Sequence, residues 1–404
     1  MDEPSSPTTP PTTSTWEVAR VFLRLGTTAF GGPAAHVAMM EDEFVRRRRW
    51  LTHAEFLDML GAVNLIPGPN STQMAIYVGY RRAGWKGLVL AGTCFILPAM
   101  AIVTALAWAY LRFQQLPQAT GLLYGIKPVV IAVIVQALWG LGRRAITSWW
   151  SAAVAAAAMA AAVLGLDPLS LVLAAGLVVA LAHGIRVARG RSWRSLLALT
   201  LAVGGIVALI HLAPAIQAAS PDEGAHPCGL GPLFVYFLKI GSVLYGSGYV
   251  LIAFLEGDLV DRWKWLTPQQ LLDATAVGQV TPGPLFTTAT FIGYLKGGLS
   301  GAVLATVGIF LPSFVMIAAG GAVFPRLRRS ATAGAFLDGV NLAALALMAF
   351  VSLRLGVEAI RDPTTILIAI VSGILLIRFR VSSLWLVLGG ALIGLALSPM
   401  GIPK

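Results

Sequence analysis

Long apolar runs are the strongest constraint on this chain. Leu88–Tyr110, Leu122–Leu141, Ser151–Leu166, Leu169–Ala182 and Leu196–Leu212 contain a single charged residue between them, Lys127. A helix needs about 20 such residues to cross the hydrocarbon core of a bilayer. Only 12% of the 404 residues are charged, where a soluble domain carries roughly a quarter. The runs do not alternate, which excludes a β-barrel. The expected fold is an all-α polytopic membrane protein whose first partner is the lipid bilayer.

The chain also repeats itself. "FLRLGTTAFGG" from Phe22 matches "FLKIGSVLYGS" from Phe237 at an offset of 215 residues. The same offset pairs Glu41 with Glu256, Arg47 with Arg262, Trp50 with Trp265, Asp58 with Asp273, and Pro67-Gly68-Pro69 with Pro282-Gly283-Pro284. One deletion later, Pro98 pairs with Pro312. Matched Trp, Pro, Glu and Gly over such a span indicate two related halves. The reading is a disordered tail at 1–15, a first transmembrane repeat at 16–215, a linker at 216–230 and a second repeat at 231–404.

Both Pro-Gly-Pro segments are expected to cross, because crossings place most of the other basic loops inside, and about thirteen transmembrane segments result: 18–36, 55–80, 88–111, 121–142, 149–166, 168–187 and 195–215, then 232–253, 270–295, 300–323, 334–354, 363–379 and 382–398. An odd number in the first half turns the second over, giving inverted-topology repeats. With the N-terminus inside, most basic loops lie inside, as the positive-inside bias requires. That bias accounts for the net charge of +11 without nucleic acid. Arg46–Arg49 disagree, falling outside. Three explanations stand: a re-entrant first segment, a Pro-Gly-Pro hairpin with both ends on one side, or a charged vestibule.

Proline removes a backbone donor and clashes with the preceding turn, so two prolines around a glycine break a helix. Broken backbone at membrane depth survives only where protein buries it or a wet cavity receives it. Each break leaves a half-helix N-terminus, whose free N–H groups and positive dipole end attract anions. The candidate substrate-binding residues are therefore Gly31, Gly32, Asn64, Pro67, Gly68, Pro69, Asn70, Ser71, Thr72 and Gln73, with Gly246, Gln279, Pro282, Gly283, Pro284, Thr287 and Thr288 in the second half. The competing structural reading is a simple kink with Ser/Thr bonded back to the helix. Arg24, Lys239 and Lys127 are candidate charge partners, because intramembrane cations are functional by default; for Lys127, snorkelling competes. Glu41, Glu256, Asp58 and Asp273 are candidates for proton coupling. Glu41 and Glu256 are equally expected as surface partners of Arg47 and Arg262.

No nucleotide-binding loop or hydrolase motif is present, the five histidines lack metal spacing, and Cys94 and Cys228 form no framework. No cofactor, metal site or enzyme activity is expected.

With these residues in hand, the chain resembles the chromate ion transporter family in its long two-domain form. The carrying stretches are "FGGPAAHVAMMEDEFVRRRRWLTHAEFLDMLGAVNLIPGPNSTQMAIYVGYRRAGWKG" and "WLTPQQLLDATAVGQVTPGPLFT". The resemblance covers everything after the tail. It implies export of chromate across a bacterial inner membrane, chromate resistance, and a transport role for the FGG and PGP segments and nearby basic residues. Asn64 stands where that family commonly has Gln, which Gln279 keeps. Sulfate, also a tetrahedral dianion, is the alternative cargo, taken up by a proton-coupled importer. A homodimer is left open.

Overall fold

The computed structural model describes residues 14–113, 116–187, 228–245, 248, 250–320 and 330–398. Most of the expected tail at 1–15, the segment at 195–215, most of the linker at 216–230, and Gly246 lie outside them.

Fourteen helices are described, seven in each half, in the same order. In the first half, α1 (Thr15–Thr28) precedes α2 (Gly32–Glu41), which continues as a π-helical turn over Asp42–Arg47; then come α3 (His53–Val63), α4 (Asn70–Phe113), α5 (Pro117–Ala145), α6 (Trp149–Val163) and α7 (Pro168–Val187). Their counterparts are α8 (Leu230–Val243), α9 (Val250–Leu255) with its π turn at Glu256–Arg262, α10 (Pro268–Val280), α11 (Thr288–Gly320), α12 (Ala331–Ala359), α13 (Pro363–Arg378) and α14 (Ser383–Leu397). The repeat therefore reaches local geometry. Capping boxes open α3 through Thr52 and Glu55 and α10 through Thr267 and Gln270. Both α4 and α11 bend sharply, at Ala83–Gly84 and Gly297–Gly298. Gly84 and Gly298 each sit at φ 58°, in the left-handed region that glycine enters without penalty.

The bends turn α4 and α11 into helical hairpins. Gly79 packs on Gly87 across the first, and Gly293 on Gly301 across the second; a Cβ at any of them would strike the opposing carbonyl. The short arm of α4 (70–82) also folds back along α3. Arg81 lies 3.4 Å from Glu55, and the Arg82 guanidinium lies 5.2 Å from the Trp50 ring centroid. At 1.5 Å per residue, a straight α3 plus short arm would hold those ends roughly 35 Å apart. The segment at 55–80 is therefore a hairpin with its Pro-Gly-Pro at the tip, not a crossing. The segment at 18–36 is another. Its chain turns at Gly31 (φ 101°), Arg24 pairs with Glu43 at 2.5 Å, and Glu17 pairs with Arg48. The second half does the same at 232–253 and 270–295, where Tyr236 meets Trp263 edge-on (5.0 Å) and Leu230 meets Gly297. These corrections remove the conflict at Arg46–Arg49, which share one end of the molecule with Arg81 and Arg82.

Among the described residues, four helices are long and apolar enough to cross a membrane: α4, α5, α11 and α12; several shorter apolar helices accompany them. The long arms of α4 and α11 pack antiparallel. Tyr110 meets Phe291 on the short arm of α11 (ring centroids 5.3 Å apart), while Gly92 faces Phe314 on its long arm. Helix packing then exchanges partners between halves. The first half's α5 packs on α13 and α14, and the second half's α12 on α6 and α7. Glycines permit the close approaches, as small residues do where helices lack a hydrophobic driving force. Gly125 abuts the Gly390 backbone, and Gly339 abuts that of Ala175. One apolar core joins residues of both halves.

Candidate functional site

The four hairpin tips converge, and backbone hydrogen bonds lock them in reciprocal pairs. Gly68 N–H donates to the carbonyl of Leu244, the residue that ends α8, at 2.7 Å. Gly283 N–H donates to the carbonyl of Ala29, which ends α1, at 2.8 Å. Each Pro-Gly-Pro thus satisfies the helix end of the opposite half, answering the cost of breaking a helix in an apolar setting. Both glycines have positive φ, 122° and 95°. A Cβ would lie 2.8 Å from Ser313 Oγ at Gly68 and 2.7 Å from Ala99 Cβ at Gly283.

A cavity of 1580 Å³ reaches these tips. Gly31, Asn64, Pro69, Asn70, Ser71 and Pro284 line it at the tips. Arg143, Arg144 and Arg380 line it elsewhere, joined by Gln136, Asp338 and Asn341. Arg143 and Arg144 stand in the last turn of α5, so the cavity runs from a basic helix end to the helix breaks.

The two tips differ in how their polar groups are used. In the first half, Asn70 Nδ2 donates to Asn64 Oδ1 (2.6 Å). Gln73 Nε2 donates to the Pro67 carbonyl (2.5 Å) and meets Ser313 Oγ at 3.5 Å. The buried Thr72 Oγ1 and Gln73 Oε1 have no hydrogen-bond partner. Asn70, Ser71 and Thr72 form the first turn of α4, whose N–H groups lack intrahelical acceptors. In the second half, Thr287 and Thr288 donate back to the carbonyls of Pro284 and Leu285, both at 2.9 Å. Pro282, Gly283, Thr287 and Thr288 are buried in protein, Gln279 is half-buried, and Gly32 is half-buried behind Gly31.

The candidate charges are not gathered at the tips. Arg24 is exposed and bound to Glu43, and Lys239 is exposed on α8. Lys127 does not snorkel: it is buried and pairs with Asp273 at 2.9 Å, and Tyr110 O–H donates to the same carboxylate at 3.0 Å. Glu41 lies 3.3 Å from His53 rather than Arg47, which pairs with Asp42. Glu256 is buried and pairs with Arg354 at 3.1 Å rather than with Arg262. Asp58 is exposed on α3. Among the described residues no group of three or more His, Cys, Asp or Glu could hold a metal ion.

In the sequence, Arg143, Arg144 and Arg380 are legible only as charges of the basic loops counted inside, and Gln136 and Asn341 carry no signal of their own. Their common signal is a position at the mouth end or on the inner face of a long apolar helix. That signal becomes visible only once α5, α12 and α13 are packed together.

The chromate transporter family profile matches residues 16–181 and 231–395, one region in each half. The chain is 33% identical over 398 residues to the chromate transport protein of Cupriavidus metallidurans, covering 97% of this chain and 95% of that one. It is 32% identical over 370 residues to a probable chromate transport protein of Synechococcus elongatus, covering 90% of each. It is 33% identical over 361 residues to a chromate transport protein of Pseudomonas aeruginosa, covering 88% and 84%. No solved structure matches the chain.

Proposed function

The chain belongs to the chromate transporter family, and from that premise we propose that it is a secondary carrier exporting chromate across a bacterial inner membrane, conferring chromate resistance. Members of this family are transporters, not enzymes, and the chain is an integral membrane protein. One observation carries the site: a cavity with arginines along it ends at the first turn of α4, where Ser71 faces the cavity and Thr72 keeps an unpartnered hydroxyl. Free N–H groups at a helix start, hydroxyls and nearby guanidinium groups together suit a tetrahedral dianion. Asn64, Asn70 and Ser71 bind it in this reading, and Arg143, Arg144 and Arg380 draw it in.

The orientation follows from the same parts. Arg46–Arg49, Arg81, Arg82, Arg143 and Arg144 share one end of the molecule, which the positive-inside bias makes cytoplasmic. Antiparallel long arms in α4 and α11 support inverted repeats. The cavity then faces the cytoplasm, the side from which an exported anion is loaded.

Energetics favour outward movement. One charge crossing 100 mV is worth about 2.3 kcal/mol, so a dianion leaving a cell that is negative inside gains roughly 4.6 kcal/mol. Membrane potential can therefore drive export, with proton antiport as an added source. Asp338 in the cavity supports one second reading, a proton-coupled importer of sulfate or another oxyanion.

Chromate flux into and out of liposomes containing the purified protein, under an imposed potential and then an imposed pH gradient, tests this. Expected is potential-driven chromate movement, competed by sulfate and lost in Gly68→Ala. Sulfate accumulating against the potential when protons are supplied, with no chromate movement, would replace export by import.

A further inference from the structure

One titratable side chain at the tip junction is unused by the carrier reading. His36, on α2, is 1% exposed. Its Nε2 lies 3.1 Å from the Ala29 carbonyl and its Nδ1 lies 3.4 Å from Ser71 Oγ. A carbonyl oxygen only accepts, so Nε2 carries a hydrogen. In the neutral ring Nδ1 then has only a lone pair, and the Ser71 hydroxyl must donate to it. Ser71 is left showing lone pairs to the cavity, the wrong polarity for an anion. A proton on Nδ1 reverses this. The ring then donates to Ser71 Oγ, and the hydroxyl hydrogen turns toward the cavity.

The ring is enclosed by protein. The ring meets Phe95 edge-on, with centroids 5.9 Å apart. On the packed elements, Arg24 is bound to Glu43, Arg47 to Asp42, and Arg81 to Glu55, and none of these forms an ion pair with His36. Arg143, Arg144, Arg380 and Asp338 line the same cavity away from the junction. Ala29 O also accepts the Gly283 N–H, so the ring touches the tip of the other half through one shared carbonyl. Leu251 occupies the matching position in the second half, so the arrangement exists once.

We propose that anion binding at Ser71 is linked to protonation of His36, the empty site holding the neutral ring and the occupied site the imidazolium. This rests on the carrier reading of the junction. A proton bound with each dianion travels in the same direction as the anion, in place of antiport, and halves the net charge of the loaded complex.

The test is calorimetric titration of the purified protein in lipid nanodiscs with potassium chromate. It is done at alkaline pH, where chromate itself is a dianion, in two buffers of different ionisation enthalpy. Expected is uptake of about one proton per chromate bound, and an affinity falling by up to about tenfold per pH unit. His36→Gln keeps an N–H for Ala29 O; it should bind chromate more weakly, without proton uptake and with no pH slope. Ser71→Ala, which keeps the ring and removes the hydroxyl, should lose the uptake as well. Chromate binding by the unaltered protein without proton uptake overturns the linkage and leaves the site standing. Undiminished uptake in His36→Gln does the same. No chromate binding at any pH overturns the carrier reading itself.

Discussion

Lys127 and Asp273 show how a charge is kept inside this molecule. The lysine comes from α5 of the first half and the aspartate from α10 of the second, and Tyr110 completes the cluster. Removing one partner of a buried pair strands the other, at a cost of about 3–5 kcal/mol, whereas replacing both with apolar residues of similar size is often close to neutral. Lys127→Met should therefore lower the melting temperature in detergent strongly, and Lys127→Met/Asp273→Leu should recover most of the loss. Glycine positions divide in a similar way. Gly84 has open space around it but sits at φ 58°, ψ −144°, a region that glycine alone enters freely, so Gly84→Ala should cost about 1–3 kcal/mol of backbone strain. Gly68→Ala meets both a positive φ and Ser313. It should abolish transport in the liposome assay even where the protein is still produced.

At the scale of elements, four helical hairpins in place of four crossings change what each end of the chain faces. The contacts of Arg81 with Glu55 and of Arg82 with Trp50 need the two ends of 55–80 together. Single cysteines at positions 46, 86 and 296, in a background where Cys94 and Cys228 are serine, give a direct check. Positions 46 and 86 should react with an impermeant maleimide from the cytoplasmic face, and position 296 from the opposite face. Labelling of 46 and 86 from opposite faces would restore the crossing at 55–80. These hairpins were partly legible in the sequence. The Pro-Gly-Pro breaks and the misplaced Arg46–Arg49 pointed to them, although crossings placed more of the other basic loops inside. Hydropathy could not separate a hairpin from a crossing, because both bury the same apolar residues.

Across the whole molecule, the halves are woven together rather than set side by side. The first half's α5 lies on α13 and α14, α12 lies on α6 and α7, and the Pro-Gly-Pro amides bond across the halves. Residues 1–227 expressed alone should be degraded, and co-expression with 228–404 should restore both fragments and chromate transport, read by immunoblot and flux. The cavity is a property of this scale too. Arg143→Gln/Arg144→Gln should weaken chromate binding about tenfold or less at low ionic strength and flatten its dependence on salt, since exposed charges act over roughly the Debye length.

The membrane class, the two halves, their offset and the positions of the helix breaks were determined by the sequence alone. Each rests on local physics: apolar runs of bilayer length, prolines that cannot continue a helix, and matched residues at a constant spacing. Tertiary structure decided the rest. Whether a broken segment crosses or returns depends on which side chains its ends meet, as Glu55 meets Arg81. Whether a cation serves a site or a carboxylate depends on packing, as Lys127 found Asp273. That Ser71 faces a cavity while Thr287 and Thr288 turn back to their own backbone is written in no spacing. It follows from how the surrounding helices close around two otherwise equivalent tips.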